Sequence, residues 1–258
     1  MGTIIDIKNI SKSFGGIIDC NDISFHVKEG EIKGLIGPNG AGKTTIFNLI
    51  TGAYGLDEGN ILFCGKEIGG LRPDQIVKRG ITRTFQNIRL FQNLTVLENV
   101  VIALDQWNAN YNFFSAMTRL PTMLLEESRI RKLAQFYLHS VGLEGRETQV
   151  ANSLPYGSQR KLEIARALAL QPKLLLLDEP AAGMNEEESM ELAQLIKRVK
   201  ERFNLTIILI EHHMDLVMEI CDSILVINFG EVLSQGTAFQ IQNDPDVLKA
   251  YLGARYNA

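Results

Sequence analysis

Cysteine is scarce in this chain: Cys20, Cys64 and Cys221 are scattered and show no Cys-x-x-Cys spacing. Neither a disulfide framework nor a cysteine metal site is indicated, and reduced thiols in a cytosolic protein are expected. Positive charge is not in excess either. Lys and Arg number 26 against 30 Asp and Glu, a net charge of −4, so the whole chain offers no basic footprint for nucleic acid. Long apolar runs are missing: Leu174 to Leu177 and Ile207 to Ile210 fall far short of the roughly 18 residues of a membrane span. A membrane role would have to come through a partner. The first ten residues interleave acid, base and isoleucine, without the basic-then-apolar order of a signal peptide. Low-complexity segments and internal repeats are absent too. What remains is ordinary globular composition, 45% hydrophobic and 22% charged, in 258 residues. That is enough for one α/β domain with an appended subdomain and a core that needs no staples.

Against this background one segment stands out, Gly37-Pro38-Asn39-Gly40-Ala41-Gly42-Lys43-Thr44-Thr45. It follows the apolar run Ile32 to Ile36 and precedes a helix-like stretch. Glycines let successive N–H groups turn inward on phosphates, and a helix starting near Lys43 points its partial positive end at them. The pattern predicts a nucleoside triphosphate site, with Lys43 on the β- and γ-phosphates and Thr44 on Mg²⁺. A chance glycine-rich turn would carry the same letters, but without that strand and helix around it.

Periodicity orders the rest. Ile23, Phe25 and Val27 alternate with Ser24, His26 and Lys28 as in a half-buried antiparallel strand, and Ile61 to Phe63 between glycines resembles another strand of that layer. Leu174 to Leu177 and Ile207 to Ile210 read as strands of a parallel sheet buried on both faces. Between them Thr95 and Glu98 form a capping box, and Ile130, Leu133, Ala134, Tyr137, Leu138 and Val141 share one helical face ending at Gly142. A helical subdomain is expected at about 87–170. Asn185 with Glu188 predicts a further N-cap ahead of Leu192, Leu195, Ile196 and Val199, and Asp244-Pro245 opens a last short helix. The buried run Leu174-Leu175-Leu176-Leu177 ends in Asp178-Glu179-Pro180. This places Asp178 beside Mg²⁺ and Glu179 where it can orient or polarise an attacking water. A buried strand with an acidic exit would look the same without the phosphate loop upstream.

Leu154-Pro155-Tyr156-Gly157-Ser158-Gln159-Arg160-Lys161-Leu162-Glu163-Ile164-Ala165-Arg166-Ala167-Leu168 resembles the signature segment of the ATP-binding-cassette (ABC) family, Leu-Ser-Gly-Gly-Gln ahead of a helix. In that family the helix N-terminus grips the γ-phosphate of an ATP held by the facing subunit, through free N–H groups and the helix dipole. Here Pro155 stands in place of the serine, Tyr156 of the first glycine and Ser158 of the glutamine. Proline donates nothing, so the contact falls to Gly157, Ser158 and nearby backbone. By the same resemblance Gln86 in Thr84-Phe85-Gln86-Asn87 is the Q-loop glutamine, sensing the γ-phosphate and Mg²⁺ through a neutral amide. His212 in Ile210-Glu211-His212-His213-Met214 is the switch histidine on the γ-phosphate. His213 stands where the family often has aspartate and receives no role. A metal site on the two histidines is rejected, because adjacent residues on an emerging helix diverge and no third ligand is placed. Phe14 occupies the place of the aromatic ring against adenine, although a core phenylalanine fits the same pattern. Ala181-Ala182-Gly183-Met184-Asn185 resembles the D-loop, with Asn185 replacing the usual aspartate.

The resemblance covers nearly the whole chain as a single ABC nucleotide-binding domain, 1–258. It implies an α/β fold with a RecA-like P-loop core, an N-terminal antiparallel β-subdomain and an inserted α-helical subdomain. ATP and Mg²⁺ are the implied cofactors and ATP hydrolysis the implied activity. Two cassettes, a second copy or a paralogue, would face head to tail around two ATPs. They would work on transmembrane permease subunits at the cytoplasmic face of the inner or plasma membrane, with a periplasmic or extracellular substrate-binding protein as an indirect partner and no nucleic acid. Arg83-Thr84-Phe85-Gln86, Glu179 to Asn185, the ending Tyr251-Leu252-Gly253 and an aromatic-rich insertion at 106–127 resemble the larger cassette of branched-chain amino-acid importers. That insertion, with Trp107, Tyr111, Phe113, Phe114 and Met123, suits a permease-facing surface or a plain hairpin on the subdomain. A urea or other amide importer, a lipopolysaccharide exporter and, less closely, a non-transport ABC ATPase are the alternative readings.

Overall fold

A computed structural model describes the backbone of residues 2–108 and 121–256, and side chains from 2 to 105 and from 126 to 251. The expected insertion falls largely outside the described residues, the side chains of Trp107, Tyr111, Phe113, Phe114 and Met123 included. The chain divides into two compact units, residues 1–86 with 173–258, and residues 87–172.

The first unit carries two sheets. One is four-stranded and antiparallel, in the order β2-β1-β4-β5. β1 (Thr3–Phe14) turns into β2 (Ile17–Lys28) through Gly15 and Gly16, at φ 57° and 87°. Two successive positive φ angles make the mirror-image turn that matches strand twist, and glycine adopts it without strain. Ile23, Phe25 and Val27 of β2 are buried and Ser24, His26 and Lys28 exposed, as their alternation requires. β4 (Glu58–Phe63) and β5 (Lys66–Glu67) complete the layer, so this sheet is interrupted by the phosphate-loop segment rather than wholly N-terminal to it.

The other sheet is six-stranded, β10-β9-β3-β8-β7-β6. β3 (Ile32–Ile36), β6 (Ile81–Arg83), β7 (Leu174–Asp178), β8 (Thr206–Ile210) and β9 (Ser223–Asn228) pair in parallel, and β10 (Glu231–Gly236) closes one edge antiparallel. β3, β7 and β8 are buried at every residue, which is why they read as continuous apolar runs. Within β3 the charged exception, Lys33, keeps its ammonium 3.2 Å from Glu31 and bonded to Ser223. Parallel pairing places the exits of β3, β8, β7 and β6 along one edge, where ligands of open α/β sheets bind. Helices α1 (Lys43–Ile50), α2 (Pro73–Arg79), α6 (Glu186–Phe203), α7 (Met214–Ile220), α8 (Ala238–Gln242) and α9 (Pro245–Tyr256) belong to this unit.

The second unit is helical: α3 (Val96–Asn108), α4 (Pro121–Ser140) and α5 (Tyr156–Ala169). The Thr95–Glu98 capping box opens α3, with the Glu98 carboxylate accepting from the Thr95 N–H at 2.8 Å and the Thr95 hydroxyl accepting from the Glu98 N–H at 3.2 Å. Ile130, Ala134, Tyr137 and Leu138 are the buried face of α4, and Gly142 at φ 73° follows its end.

Candidate nucleotide site

The loop from Gly37 to Thr45 leaves β3 and enters α1. A Cβ on Gly37 would lie 2.0 Å from the Ile227 carbonyl oxygen, and one on Gly42, at φ 98°, 2.4 Å from that of Asp19. Both glycines are therefore required by close backbone approach. Gly42 is the N-cap of α1 and no side chain caps the helix, so its first-turn N–H groups are left to whatever the loop encloses. Lys43 is buried across this loop, its ammonium donating to the Gly37 and Pro38 carbonyls at 2.7 and 2.8 Å. Burial holds its pKa below the ordinary lysine value, against the pull of Glu179 and Asp178 that favours the charge. The Thr44 side chain is exposed at the helix start and that of Thr45 buried.

Both acids leave β7 within the same unit. Asp178 is 3% exposed and takes a bond of 2.5 Å from Arg83 Nη2, while Arg83 Nη1 donates to Asn48 of α1 at 2.7 Å. Glu179 sits at φ 45°, a left-handed conformation that a glutamate adopts at a cost of about 1–2 kcal/mol. Its N–H bonds the Ile210 carbonyl at 2.9 Å. Its carboxylate is bracketed by Gln86 Nε2 at 2.8 Å and His212 Nε2 at 2.9 Å. The strain thus aims one carboxylate between the two residues taken from the family resemblance. His213 turns instead toward Ser189 of α6, 3.5 Å from its hydroxyl.

Glu211, which sequence reading left without a part, is 2% exposed. Its carboxylate accepts from the N–H groups of Ala181 at 2.7 Å, His212 at 2.9 Å and His213 at 3.2 Å, tying the segment after Glu179 to the histidine. An acid between a buried strand and a histidine was the available signal. Tyr54 was also missed: its ring meets Phe14 edge-on at 5.1 Å, and the Lys12 ammonium lies 5.4 Å from the Phe14 centroid. Phe14 itself is 42% exposed, which removes the core alternative. Burial pushes the Tyr251 phenol of α9 up to about 12, with the Gly37 backbone pulling weakly the other way.

In the helical unit, Pro155 is the N-cap of α5 at φ −54° and no side chain caps this helix either. Tyr156 is exposed. Its hydroxyl accepts from Arg160 Nη2 at 3.2 Å, and Arg160 pairs with Glu163 at 2.9 Å in the interior. Ser158 accepts from Arg146 at 3.4 Å, and Gly157 lies between the two. The tyrosine that replaces glycine is thus held by an arginine and glutamate one and two turns on.

A loop in which Gly37 and Gly42 leave no room for a side chain, leading into a helix start with no side-chain cap, defines a phosphate-loop nucleotide-binding domain. Residues 20–182 match the ABC transporter family profile, and residues 231–257 match that of the branched-chain amino acid ATP-binding cassette transporter. The chain belongs to the ABC transporter family of ATP-binding cassettes. It is 43% identical to the high-affinity branched-chain amino acid transport ATP-binding protein BraF of Pseudomonas aeruginosa, over 97% of this chain and 98% of the relative. Identity and coverage are the same for LivG of Escherichia coli. Among solved structures, the ADP conformation of MJ1267, an ATP-binding cassette of an ABC transporter, is similar with a TM-score of 0.85 at 29% identity, over 98% of this chain and all of that one. The dimeric post-hydrolysis state of the cassette MJ0796, bound to ADP and Pi, has a TM-score of 0.75 at 26% identity, over 91% of this chain and 98% of that one.

Proposed function

We propose that this chain is the ATP-binding and ATP-hydrolysing subunit of a branched-chain amino-acid importer, acting as one nucleotide-binding domain over its whole length. The observation that carries the hydrolytic part is the strained Glu179, its carboxylate set between Gln86 and His212 at the edge where Lys43 and Thr44 hold phosphate. In this reading Gly37 to Thr45 cradle the triphosphate, Phe14 with Tyr54 meets the adenine, and Glu179 orients the attacking water and draws its proton. His212 donates to the γ-phosphate, and Gln86 relays the state of the site toward the permease.

Among the described residues no group of three or more His, Cys, Asp or Glu is placed to cage a metal. Mg²⁺ is a hard cation that is commonly held by one or two protein oxygens together with phosphate and water. The Thr44 hydroxyl, the Gln86 amide and Asp178 fit that donor set, and the bound ion would neutralise charge on the β- and γ-phosphates.

Among the described residues no helix is long and apolar enough to cross a membrane. The reading, which follows the transport cassettes this chain resembles, places it on the cytoplasmic face of permease subunits, as half of a head-to-tail pair of cassettes. Tyr156, Gly157 and Ser158 would meet the partner's nucleotide, and a substrate-binding protein would act from the other side.

The test is uptake of labelled leucine, isoleucine, valine and urea in cells lacking the gene, complemented with wild type or Glu179→Gln. Branched-chain uptake restored by wild type alone is the expected result. An unchanged uptake of all four solutes without the gene would overturn the transport assignment.

A further inference from the structure

The four residues leaving β6 engage both acids that leave β7. Gln86 holds Glu179, and Arg83 holds Asp178 in an ion pair of 2.5 Å whose side chains are 7% and 5% exposed. The guanidinium is wedged between Phe47 and Phe85, with its carbon 5.4 and 5.1 Å from their centroids. It also donates to Asn48, in the first helix after the phosphate loop. Its Nε–H is buried and has no acceptor. What sets this guanidinium apart is its partner, since it neutralises the one carboxylate assigned to the metal.

We propose that Arg83 is a positioning residue, the resident counterion of Asp178, and that it sets how far nucleotide binding depends on Mg²⁺. The inference rests on the reading of Asp178 as the metal-facing acid. Without the metal, a triphosphate entering the loop meets Asp178 already neutralised by Arg83. With it, the carboxylate divides its oxygens between the guanidinium and the hydrated ion, and a carboxylate has lone pairs for both. Removing the guanidinium uncovers a buried negative charge next to the polyphosphate, a repulsion that the cation alone can then offset.

The experiment measures ATP dissociation constants for the full-length chain by calorimetry, in excess Mg²⁺ and in EDTA, so no turnover is read. In Arg83→Met the EDTA constant should weaken on the order of tenfold or more while the Mg²⁺ constant moves about threefold or less. The ratio of the two then rises. Arg83→Lys keeps the charge but not the fork and should give an intermediate ratio, and it carries the test if Arg83→Met does not fold. Equal weakening under both conditions, or an unchanged ratio in both variants, overturns the proposal by reducing Arg83 to a structural ion pair. Asp178→Asn separates the two layers. If the wild-type ratio depends on Asp178 but not on Arg83, only this inference falls. If it depends on neither, the metal-facing reading of Asp178 falls as well.

Discussion

The Phe14 ring lies open beside Tyr54 with a lysine ammonium near its face, and the proposed function assigns these rings to the base. Phe14→Ala should weaken ATP binding by about 1–3 kcal/mol, on the scale of one base-aromatic stack. Tyr54→Ala should weaken it less, and binding of inorganic tripolyphosphate should be unaffected in both. Equal loss for ATP and tripolyphosphate would place the rings outside the base site. Thiol chemistry separates the cysteines. Burial, with Asp19 adding to it, pushes Cys20 up to about 12, and burial with Asp222 does the same to Cys221, whereas Cys64 is exposed. One fast thiol in the native protein and three after unfolding is the expected result with an aromatic disulfide reagent at pH 8. Residue types and spacing were enough to raise the loop, Asp178, Glu179, Gln86 and His212 as candidates, and the structure brings the carboxylate of Glu179 to Gln86 and His212. Arg83 and Tyr54 were out of reach, because their parts depend on neighbours distant in sequence, Asp178 and Phe14, whereas Glu211 had a local signal in its two histidine neighbours and only its bond to Ala181 depends on strand order.

Elements whose signals are local were readable ahead of the structure. The buried runs that became β7 and β8 and the caps at Thr95 and Asn185 are set by residues within a few positions of one another. β6, three residues long, and the edge strand β10 have no such local signature and exist through pairing. The cap at Asn185 is measurable: its side chain accepts from the Glu188 N–H at 2.9 Å and Glu188 returns the bond at 3.1 Å. Asn185→Ala should cost about 1 kcal/mol of stability, read as a lower denaturant midpoint at constant slope. The residue just before β3 is a pH-dependent one. Burial would raise the Glu31 carboxyl, but bonds from Ser223 and the Lys28 N–H, with the Lys33 ammonium, outweigh it and hold the pKa below the ordinary value. A depressed carboxylate contributes stability that is present above its unfolded pKa and lost as pH falls through the folded one. The stability difference between wild type and Glu31→Gln should therefore be full at pH 7 and shrink below the ordinary glutamate range. A difference constant down to pH 3 would dissociate the effect from the charge.

At the scale of the whole molecule, the two segments that the proposed function gives to nucleotide belong to different compact units: the phosphate loop to residues 1–86 with 173–258, the Pro155-capped helix to residues 87–172. In the proposed mechanism they serve different nucleotides, so one chain binds ATP but two chains enclose it, and the enclosed state persists until the γ-phosphate is cleaved. Glu179→Gln keeps the size of the side chain and a carbonyl oxygen for Gln86, and removes the charge that would draw a proton from water. A variant that binds but does not cleave should accumulate in the closed pair. In sedimentation with ATP and Mg²⁺, Glu179→Gln should run as a dimer, or as a heterodimer when the paralogous cassette is supplied. Wild type should return to monomer as ATP is consumed, and both should be monomeric with ADP. Hydrolysis should fall by at least about 10²-fold, the scale of lost general-base assistance. A Glu179→Gln protein that turns over ATP at the wild-type rate would remove Glu179 from the chemistry. One that stalls without pairing, even with the paralogue present, would keep the chemistry and overturn the enclosed dimer.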